Sequence, residues 1–370
     1  MSEPVETTRA EDAPRLWLVS RVVGIAALFA VLAAPVARVG DPASPAYEAL
    51  EDVTNANPAA PTLQAPLDFA ILGNSRSHVG LSPRLFAEGL AAAGVGGMRG
   101  WNFSVDGTDA MHHASFGLHG LLADAHGPRV VVWAVDPLMF DASRKANRLE
   151  QLRRSDLPIL ARAGAPLEVV LDVAAMQLFP PYRHRPLVLA KVEDKTESMG
   201  KRLTKVQRMA GLVEVVHPKA RQYDKPGEGF EPFTVVDDWE YRFYQRHGPH
   251  YATEYQALTL SDWHERFAAR FLAAARAQGV VVVVLEMPLS PYYRERFASG
   301  ATHLAWRERM RRLAESQGAL FVSDADRYSS DRDFGDPGHL PLSTAQEYSR
   351  ALGEKLARDP RVAAALRKEH

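Results

Sequence analysis

Residues Leu67–Ser77 read LDFAILGNSRS, a short apolar run that ends at a glycine and passes into a polar turn. Such a run, stopped by Gly73, predicts a buried strand. Two further runs, Arg129–Val135 (RVVVWAV) and Val280–Leu285 (VVVVVL), are almost wholly apolar, which is typical of strands covered on both faces. These three runs predict the interior of a parallel β-sheet.

Helical patterns alternate with these runs, which predicts an α/β fold with helices on both faces of the sheet. Thr344 and Glu347 form a capping signal at the start of the last helix. Reactive groups in such folds gather at the carboxyl ends of the strands. The remaining predicted elements are strands at Arg99–Val105 and Leu320–Ser323 and helices at Pro83–Ala93, Asp109–Ala123, Ser261–Gln278, Thr302–Gln317 and Ser343–Leu356.

The segment Asp141–Leu260 differs from the rest because it contains no strong buried-strand run. It is rich in Arg, Lys, Tyr and Pro, and we interpret it as a largely helical insertion over one edge of the sheet. A lid, a partner surface, a membrane-facing surface and a plain solvated subdomain all fit this composition. His247, His250 and Tyr251 can touch a substrate there, although a solvated loop is the favoured interpretation.

The N-terminal region contains an uncharged apolar run, Val22–Ala34 (VVGIAALFAVLAA), that follows three arginines. Its length fits a signal sequence or a single membrane span, and a buried soluble helix is the remaining alternative. No clean cleavage site follows, so a retained anchor is expected, with the body of the protein outside the cytoplasm. The predicted organisation is an anchor at 1–40, a tether at 41–66 and one domain at 67–370.

Composition excludes several classes of function. The 370 residues include 44 basic and 45 acidic side chains, and this balance gives no reason to expect a nucleic-acid partner. The absence of cysteine excludes disulfides, a thiolate nucleophile and a Cys-based zinc site. His112 and His113 stand near Asp106 and Asp109, but adjacent histidines on a helix point about 100° apart. We therefore expect neither a metal nor another cofactor.

Ser75 is the first candidate for chemistry because it follows the first strand on a tight strand-to-helix turn. A serine there exposes its hydroxyl at the sheet edge and has its own amide near a helix N-terminus, where negative charge is favoured. Acyl transfer needs such a nucleophile and a donor for the oxyanion. A helix-capping role for Ser75 is the alternative.

Asp336 and His339 form the second candidate pair, in a loop that Pro337 and Gly338 impose before the last helix. An aspartate three residues before a histidine can bind the imidazole Nδ1–H and leave Nε2 facing outward. A turn residue and a surface histidine are the corresponding alternatives.

Together, these motifs resemble the SGNH (GDSL-like) hydrolase superfamily. Gly73-Asn74-Ser75 resembles its first block, Asn102–Gly107 its second, Ala134–Pro137 its third and Asp336–His339 its fifth. The resemblance implies a three-layer α/β/α, flavodoxin-like fold and a catalytic set of Ser75, Asp336 and His339. It also implies an oxyanion hole formed by the amides of Ser75 and Gly107.

This chain departs from the family pattern at three positions. Asn74 stands where the family usually has aspartate, and Pro341 follows His339-Leu340 where asparagine is frequent. Asp136 stands at the third block, which usually carries an asparagine, and a carboxylate there would repel an oxyanion. Further candidates for contact with substrate are Arg76, Asn102, His112 and Asp136. For Arg76, an anionic sugar, a pair with Asp136 and an exposed helix position remain open.

The anchor, the second block and the stretch Val135–Phe140 are similar to membrane-tethered SGNH-like proteins of envelope polymer modification. That likeness implies a single-pass protein of the bacterial inner membrane with a periplasmic domain. It implies acyl, in particular acetyl, transfer or ester hydrolysis on an envelope polysaccharide or other acylated glycan, beside a multi-spanning O-acyltransferase. The alternative is a non-catalytic anchored scaffold that binds glycan or that partner.

Overall fold

A computed structural model describes residues 66–123, 127–142, 152, 154–178, 239–256 and 258–367. The predicted anchor, most of the tether and the middle of the predicted insertion lie outside these residues. In the described part of the chain, no helix is long and apolar enough to cross a membrane. The described residues up to position 174 and those from 239 onward belong to one compact unit.

Five parallel strands form the sheet, in the order β2-β1-β3-β4-β5. This confirms the predicted α/β class with a parallel sheet. All five predicted strands are present, although β2 is shorter than the predicted range Arg99–Val105. The strands are β1 (Phe69–Leu72), β2 (Gly100–Asn102), β3 (Val130–Val135), β4 (Val281–Glu286) and β5 (Leu320–Ser323).

The helices follow the predicted alternation, with one change in type: the pattern at Asp109–Ala123 is a short α-helix followed by a π-helix, Gly117–Leu121. A second π-helix covers Tyr241–His247. The helices are α1 (Ser75–Gly80), α2 (Pro83–Ala92), α3 (Ala110–Phe116), α4 (Leu157–Ala163), α5 (Leu167–Leu178), α6 (Gly248–Gln256), α7 (Asp262–Ala277), α8 (Pro291–Tyr293), α9 (Ala301–Ser316), α10 (Leu342–Ala357) and α11 (Pro360–Leu366).

Helices cover both faces of the sheet. On one face, side chains such as Ile71 and Val132 belong to a core that includes Phe86 of α2 and Tyr348 of α10. On the other face, Trp133 meets Phe271 of α7 edge-on, with ring centroids 5.5 Å apart. All six residues of β3 are buried, which explains why its sequence is continuously apolar.

The strand order reverses between β1 and β3, because the chain runs from β1 outward to β2 and then returns to the other side of β1. Loops that follow the carboxyl ends of two such strands diverge and leave a crevice, the usual ligand site of open α/β sheets. Leu72 of β1 lies beside Trp133 of β3. The segments that start at Gly73 and Asp136 therefore border this crevice.

A short antiparallel bridge between Asp141 and Leu260 joins the two ends of the predicted insertion. The Ala142 N–H donates to the Thr259 carbonyl at 2.7 Å, and the Ser261 N–H donates to the Phe140 carbonyl at 2.8 Å. The insertion therefore leaves and rejoins the sheet at one point. Its described segments are largely helical.

The capping signal predicted for the helix at Ser343–Leu356 is wrong, and this helix is not the last one, because α11 follows it. Helix α10 begins at Leu342 with Pro341 as its N-cap, and no side chain caps it. Glu347 instead accepts hydrogen bonds from Arg327 (2.9 Å) and from the Tyr328 hydroxyl (2.5 Å). The Glu347 carboxylate, which the local pattern predicted to cap the helix, is therefore bound by side chains outside the helix.

Helices α2 and α10 cross at two glycines, which bring their backbones into contact. A Cβ on Gly89 would overlap the Arg350 carbonyl, and a Cβ on Gly353 would overlap the Phe86 carbonyl. Because α2 follows the Ser75 segment and α10 follows the Asp336–His339 loop, this crossing sets the distance between the two candidate halves of the site.

We predict that Gly89→Ala lowers the free energy of unfolding by about 1–3 kcal/mol, because the added methyl group forces the two helices apart. Chemical denaturation measures this. Gly96→Ala is the matched control, since a Cβ there has no neighbour closer than 3.8 Å. Equal stability of Gly89→Ala and wild type would contradict the close crossing.

Candidate active site

Ser75 is the first residue of α1, directly after the turn that ends β1. Asn74 is the N-cap, and its Oδ1 accepts the Arg76 N–H at 3.1 Å. The first amides of a helix have no acceptor within it, so the Ser75 N–H is available to a ligand. The helix is therefore capped by Asn74 and not by Ser75, and the Ser75 hydroxyl can bind another partner.

That partner is His339. Its Nε2 lies 2.8 Å from Ser75 Oγ, and its Nδ1 lies 2.8 Å from Asp336 Oδ2. Asp336 is itself fixed, because its Oδ1 accepts the Gly338 N–H at 2.8 Å and the His339 N–H at 3.0 Å. The structure thus brings together the three residues that were predicted as nucleophile, base and orienting acid, with His339 between the other two.

The charge state of Asp336 determines the tautomer of His339. Burial alone would raise the pKa of Asp336, but the neighbouring His339 and the Gly338 N–H outweigh it and lower the pKa below its ordinary value. Asp336 is therefore a carboxylate at neutral pH and accepts the Nδ1 proton of His339. Nε2 then carries the lone pair that can accept the Ser75 hydroxyl proton.

Three hydrogen bonds hold the Asp336–His339 loop in place. The Ser290 hydroxyl donates to the Pro337 carbonyl at 3.0 Å, and the Trp239 indole N–H donates to the Phe334 carbonyl at 2.7 Å. Within the loop, the Gly335 N–H donates to the His339 carbonyl at 2.8 Å. The sequence contains no local signal for Ser290 or Trp239, because both lie far from the loop along the chain.

A cavity of about 250 Å³ opens beside Ser75. One wall comes from the π-helix at Tyr241–His247 and from α6. The interpretation of His247, His250 and Tyr251 as a solvated loop is therefore wrong, because all three lie in helices and line the cavity. Sequence reasoning missed Thr108, Leu138 and Glu254, although Glu254 continues the helical spacing of His247 and His250. Among the described residues, the lining consists of Asn74, Ser75, Arg76, Gly107, Thr108, Asp136, Leu138, His247, His250, Tyr251, Glu254, Asp336 and His339.

Gly107, the predicted second oxyanion donor, lines the same cavity with a left-handed backbone (φ 70°). The next residue, Thr108, is fixed through its hydroxyl, which donates to the Val105 carbonyl at 2.5 Å. His113 Nε2 lies 2.7 Å from that hydroxyl, and the Trp133 indole N–H donates to His113 Nδ1 at 3.1 Å. Because an indole can only donate, His113 carries its proton on Nε2 and donates to Thr108.

Burial lowers the pKa of His113 from 6.5 to about 3, so the ring is neutral at physiological pH. The neutral ring can receive one hydrogen bond and give another, as this arrangement requires. His113 is therefore a positioning residue for the Gly107–Thr108 turn and does not itself line the cavity.

Two of the three departures from the family pattern contact each other. The Asn74 side-chain amide donates to Asp136 Oδ2 at 2.6 Å. Arg76 Nε lies 3.8 Å from the same oxygen, and its guanidinium lies over the Tyr293 ring at 4.7 Å. Arg76 is buried, so its interpretation as an exposed helix residue is wrong and its pairing with Asp136 is observed.

Asn102 and His112, predicted to contact substrate, do not line the cavity. Asn102 is 1% exposed, and its amide donates to the carbonyls of Ser77 and Leu81 at 2.8 Å each. His112 is buried with its Nδ1 2.7 Å from Asp109 Oδ1. The structure therefore does not bring these two side chains to the cavity, because a sequence block does not reveal which of its polar side chains fold inward.

The grouping of His112, His113, Asp106 and Asp109 does not converge on one point. Asp106 lies against His78, with 2.9 Å between Oδ1 and Nδ1. Across the described ranges, no three His, Asp or Glu side chains are placed to hold a metal ion.

We predict that stability falls as the pH drops below about 6.5. The unfolded chain then binds a proton at His113 that the folded protein excludes until about pH 3. One such group contributes a slope of about 1.4 kcal/mol per pH unit. His264, whose pKa burial lowers to about 4, contributes in the same direction. Urea denaturation at pH 7, 6 and 5 measures the slope.

In His113→Gln, the free energy of unfolding should depend less steeply on pH, by the contribution of one titrating group. His250→Gln, at an exposed position, is the matched control. Parallel pH profiles for His113→Gln and wild type would show that His113 is not held neutral.

No protein-family model and no curated protein sequence matches this chain. The geometry around Ser75 therefore carries the functional interpretation.

Proposed function

We propose that this chain is a serine-dependent acyl-transfer enzyme that moves a short acyl group to or from a hydroxyl of a glycan. The observation that supports it is the continuous hydrogen-bonded set of Ser75, His339 and Asp336, with 2.8 Å between Ser75 Oγ and His339 Nε2. Three residues in this order, beside a cavity, are the recurrent arrangement of serine acyl transfer.

The proposed reaction proceeds in two stages. Ser75 Oγ attacks the ester carbonyl and His339 Nε2 takes its proton, while the amides of Ser75 and Gly107 bind the oxyanion. The intermediate then expels the alcohol, which receives the proton from His339. In the second stage, a sugar hydroxyl or water attacks the acyl-enzyme through the same base, and Ser75 leaves with the returned proton.

The cavity favours a small acyl group. Its volume is about 250 Å³, and Leu138 is the one aliphatic side chain among the described residues that line it. A long alkyl chain would find little apolar surface beyond Leu138, so its burial would bring little stabilisation. The many polar lining groups suit a ligand with several hydroxyls. An acetyl group on a polysaccharide meets both conditions.

The setting of this reaction rests on the resemblance and on the predicted anchor. We place the enzyme at the bacterial inner membrane with its main domain in the periplasm. The glycan is an envelope polysaccharide, and the partner class is a multi-spanning membrane O-acyltransferase that supplies or shares the acyl group. The predicted anchor lies outside the described residues, and localisation of a full-length fusion tests this part separately.

One observation favours the alternative of an anchored, non-catalytic scaffold. Asp136 lines the cavity at the block where the family usually has asparagine, and a carboxylate would repel an oxyanion formed nearby. The two candidates differ in whether Ser75 reacts, which covalent labelling decides.

We predict that a fluorophosphonate labels the full-length protein once, at Ser75, and that Ser75→Ala abolishes both labelling and hydrolysis of an aryl acetate. Asp336→Asn should lower turnover on the order of a thousandfold or more, because it favours the wrong tautomer of His339. Intact mass and released aryl alcohol are the measurements. Ser316→Ala, at an exposed serine of α9, is the control. Equal turnover by Ser75→Ala and wild type would eliminate the triad and leave the scaffold.

We predict a steep preference for short acyl groups. In a series of aryl acetate, butyrate and octanoate, kcat/KM should fall at each step, because the polar cavity excludes longer chains. Leu138→Ala should leave this order in place, since it removes the aliphatic wall. An enzyme that prefers the octanoate would refute a small acyl pocket.

A further inference from the structure

We propose that Asp136 and Arg76 form a subsite for a second hydroxyl of the acyl acceptor, so that the enzyme selects acceptors with two adjacent hydroxyl groups. This inference rests on the proposed acyl transfer and adds its acceptor class. The subsite lies at the strand-order reversal, where Asp136 follows β3 and Ser75 follows β1.

The Asp136 carboxylate is held beside the nucleophile by one of its two oxygens. Oδ2 accepts the Asn74 amide at 2.6 Å, and Asn74 directly precedes Ser75. The other oxygen, Oδ1, is buried and has no hydrogen-bond partner among the described residues. Asp136 is only 4% exposed but lines the cavity, so a small rotation of its carboxylate would present Oδ1 to a ligand there as an acceptor.

Arg76 also has a buried polar atom without a hydrogen-bond partner, but here the atom is a donor. It is 6% exposed and lines the same cavity, and its Nη2 is buried without an acceptor in the described part of the chain. Its Nε lies 3.8 Å from Asp136 Oδ2, so the two groups form one buried ion pair. The pair therefore leaves one acceptor and one donor unsatisfied, which is costly in a buried site.

A neutral hydroxyl matches this pair. Its O–H donates to the carboxylate, and its oxygen accepts from the guanidinium. For an anionic group, attraction by Arg76 is offset by repulsion from Asp136, and for a cationic group the reverse holds, so neither gains from the pair as a whole. The buried pair has no net charge and therefore favours an uncharged polar ligand.

The hydroxyl bound here differs from the one that attacks. The attacking hydroxyl must give its proton to His339 Nε2 as its oxygen bonds to the acyl carbon and Ser75 Oγ leaves. It cannot donate the same proton to Asp136. The hydroxyl at Asp136 is therefore a neighbour on the same acceptor, and adjacent ring hydroxyls of a sugar provide this arrangement.

Two isomeric alcohols test the adjacency directly. Full-length enzyme is acylated with an aryl acetate in the presence of 1,2-propanediol or 1,3-propanediol, and acetylated diol is measured against free acetate. We expect the ratio of transfer to hydrolysis to be about tenfold higher for the 1,2-diol, as suits a hydrogen bond to a charged group.

Asp136→Asn should bring the two ratios close together. The new amide can accept from Asn74 through its oxygen and then presents an N–H₂ donor where the carboxylate presented an acceptor. Glu315→Gln makes the same carboxylate-to-amide change at an exposed position of α9 away from the cavity, so it is the matched control and should keep the preference. The exchange variant Asn74→Asp/Asp136→Asn retains one amide–carboxylate hydrogen bond but moves the charge, and it should lack the preference.

The outcomes separate the two proposals. If wild type releases no acetate through Ser75, the proposed function fails and this inference fails with it. If Ser75-dependent release occurs but the wild-type ratios for the two diols are equal, the subsite alone is overturned, without any variant. Retention of the preference by Asp136→Asn, or its loss in Glu315→Gln, also overturns the subsite.

Discussion

The crossing of α2 and α10 is the contact on which the site depends. Gly89 and Gly353 let the two backbones touch, and the Ser82 N–H donates to the Ser349 hydroxyl at 2.9 Å across the same crossing. Ser75 and His339 are 264 residues apart in the chain, yet their side chains form a 2.8 Å hydrogen bond. A larger residue at either glycine would push α2 and α10 apart. Because each helix follows one half of the site, the distance between Ser75 and His339 would then increase.

The parallel sheet supplies the second constraint. Because the strand order reverses between β1 and β3, the segments after both strands border one crevice, and Asn74 can reach Asp136. A carboxylate so close to a nucleophile is unfavourable for an oxyanion unless it is held and balanced. Asn74 holds it and Arg76 balances it. A carboxylate at position 136 is unfavourable for a simple hydrolase. Paired with Arg76, it gives the cavity the acceptor and donor that the proposed hydroxylated substrate would need.

Much of this arrangement follows from local sequence. Apolar runs reveal buried strands, and the glycines and proline around Ser75 and His339 impose turns, so a strand–helix layout brings those residues together. What could not be predicted depends on contacts distant in sequence. Asn102 is a polar residue in a motif block, which suggests a contact with substrate, but its side chain points inward and donates to two backbone carbonyls. Glu347 has the spacing of a capping residue, but Arg327 and Tyr328 bind it.

Helix α6 is linked to the candidate site through a series of contacts between aromatic and charged side chains. Tyr255 of α6 accepts the Tyr293 hydroxyl at 2.6 Å, and the Tyr293 ring lies 4.7 Å from the Arg76 guanidinium. On the other side, the Tyr255 hydroxyl lies 3.3 Å from His303, which contacts the buried Glu286 at 2.7 Å. Glu286 ends β4, so the sheet holds α6 and, through it, the cation that balances Asp136. A shift of α6 would therefore alter the charge next to Ser75 as well as the shape of the cavity wall, which links this helix to the proposed acceptor site.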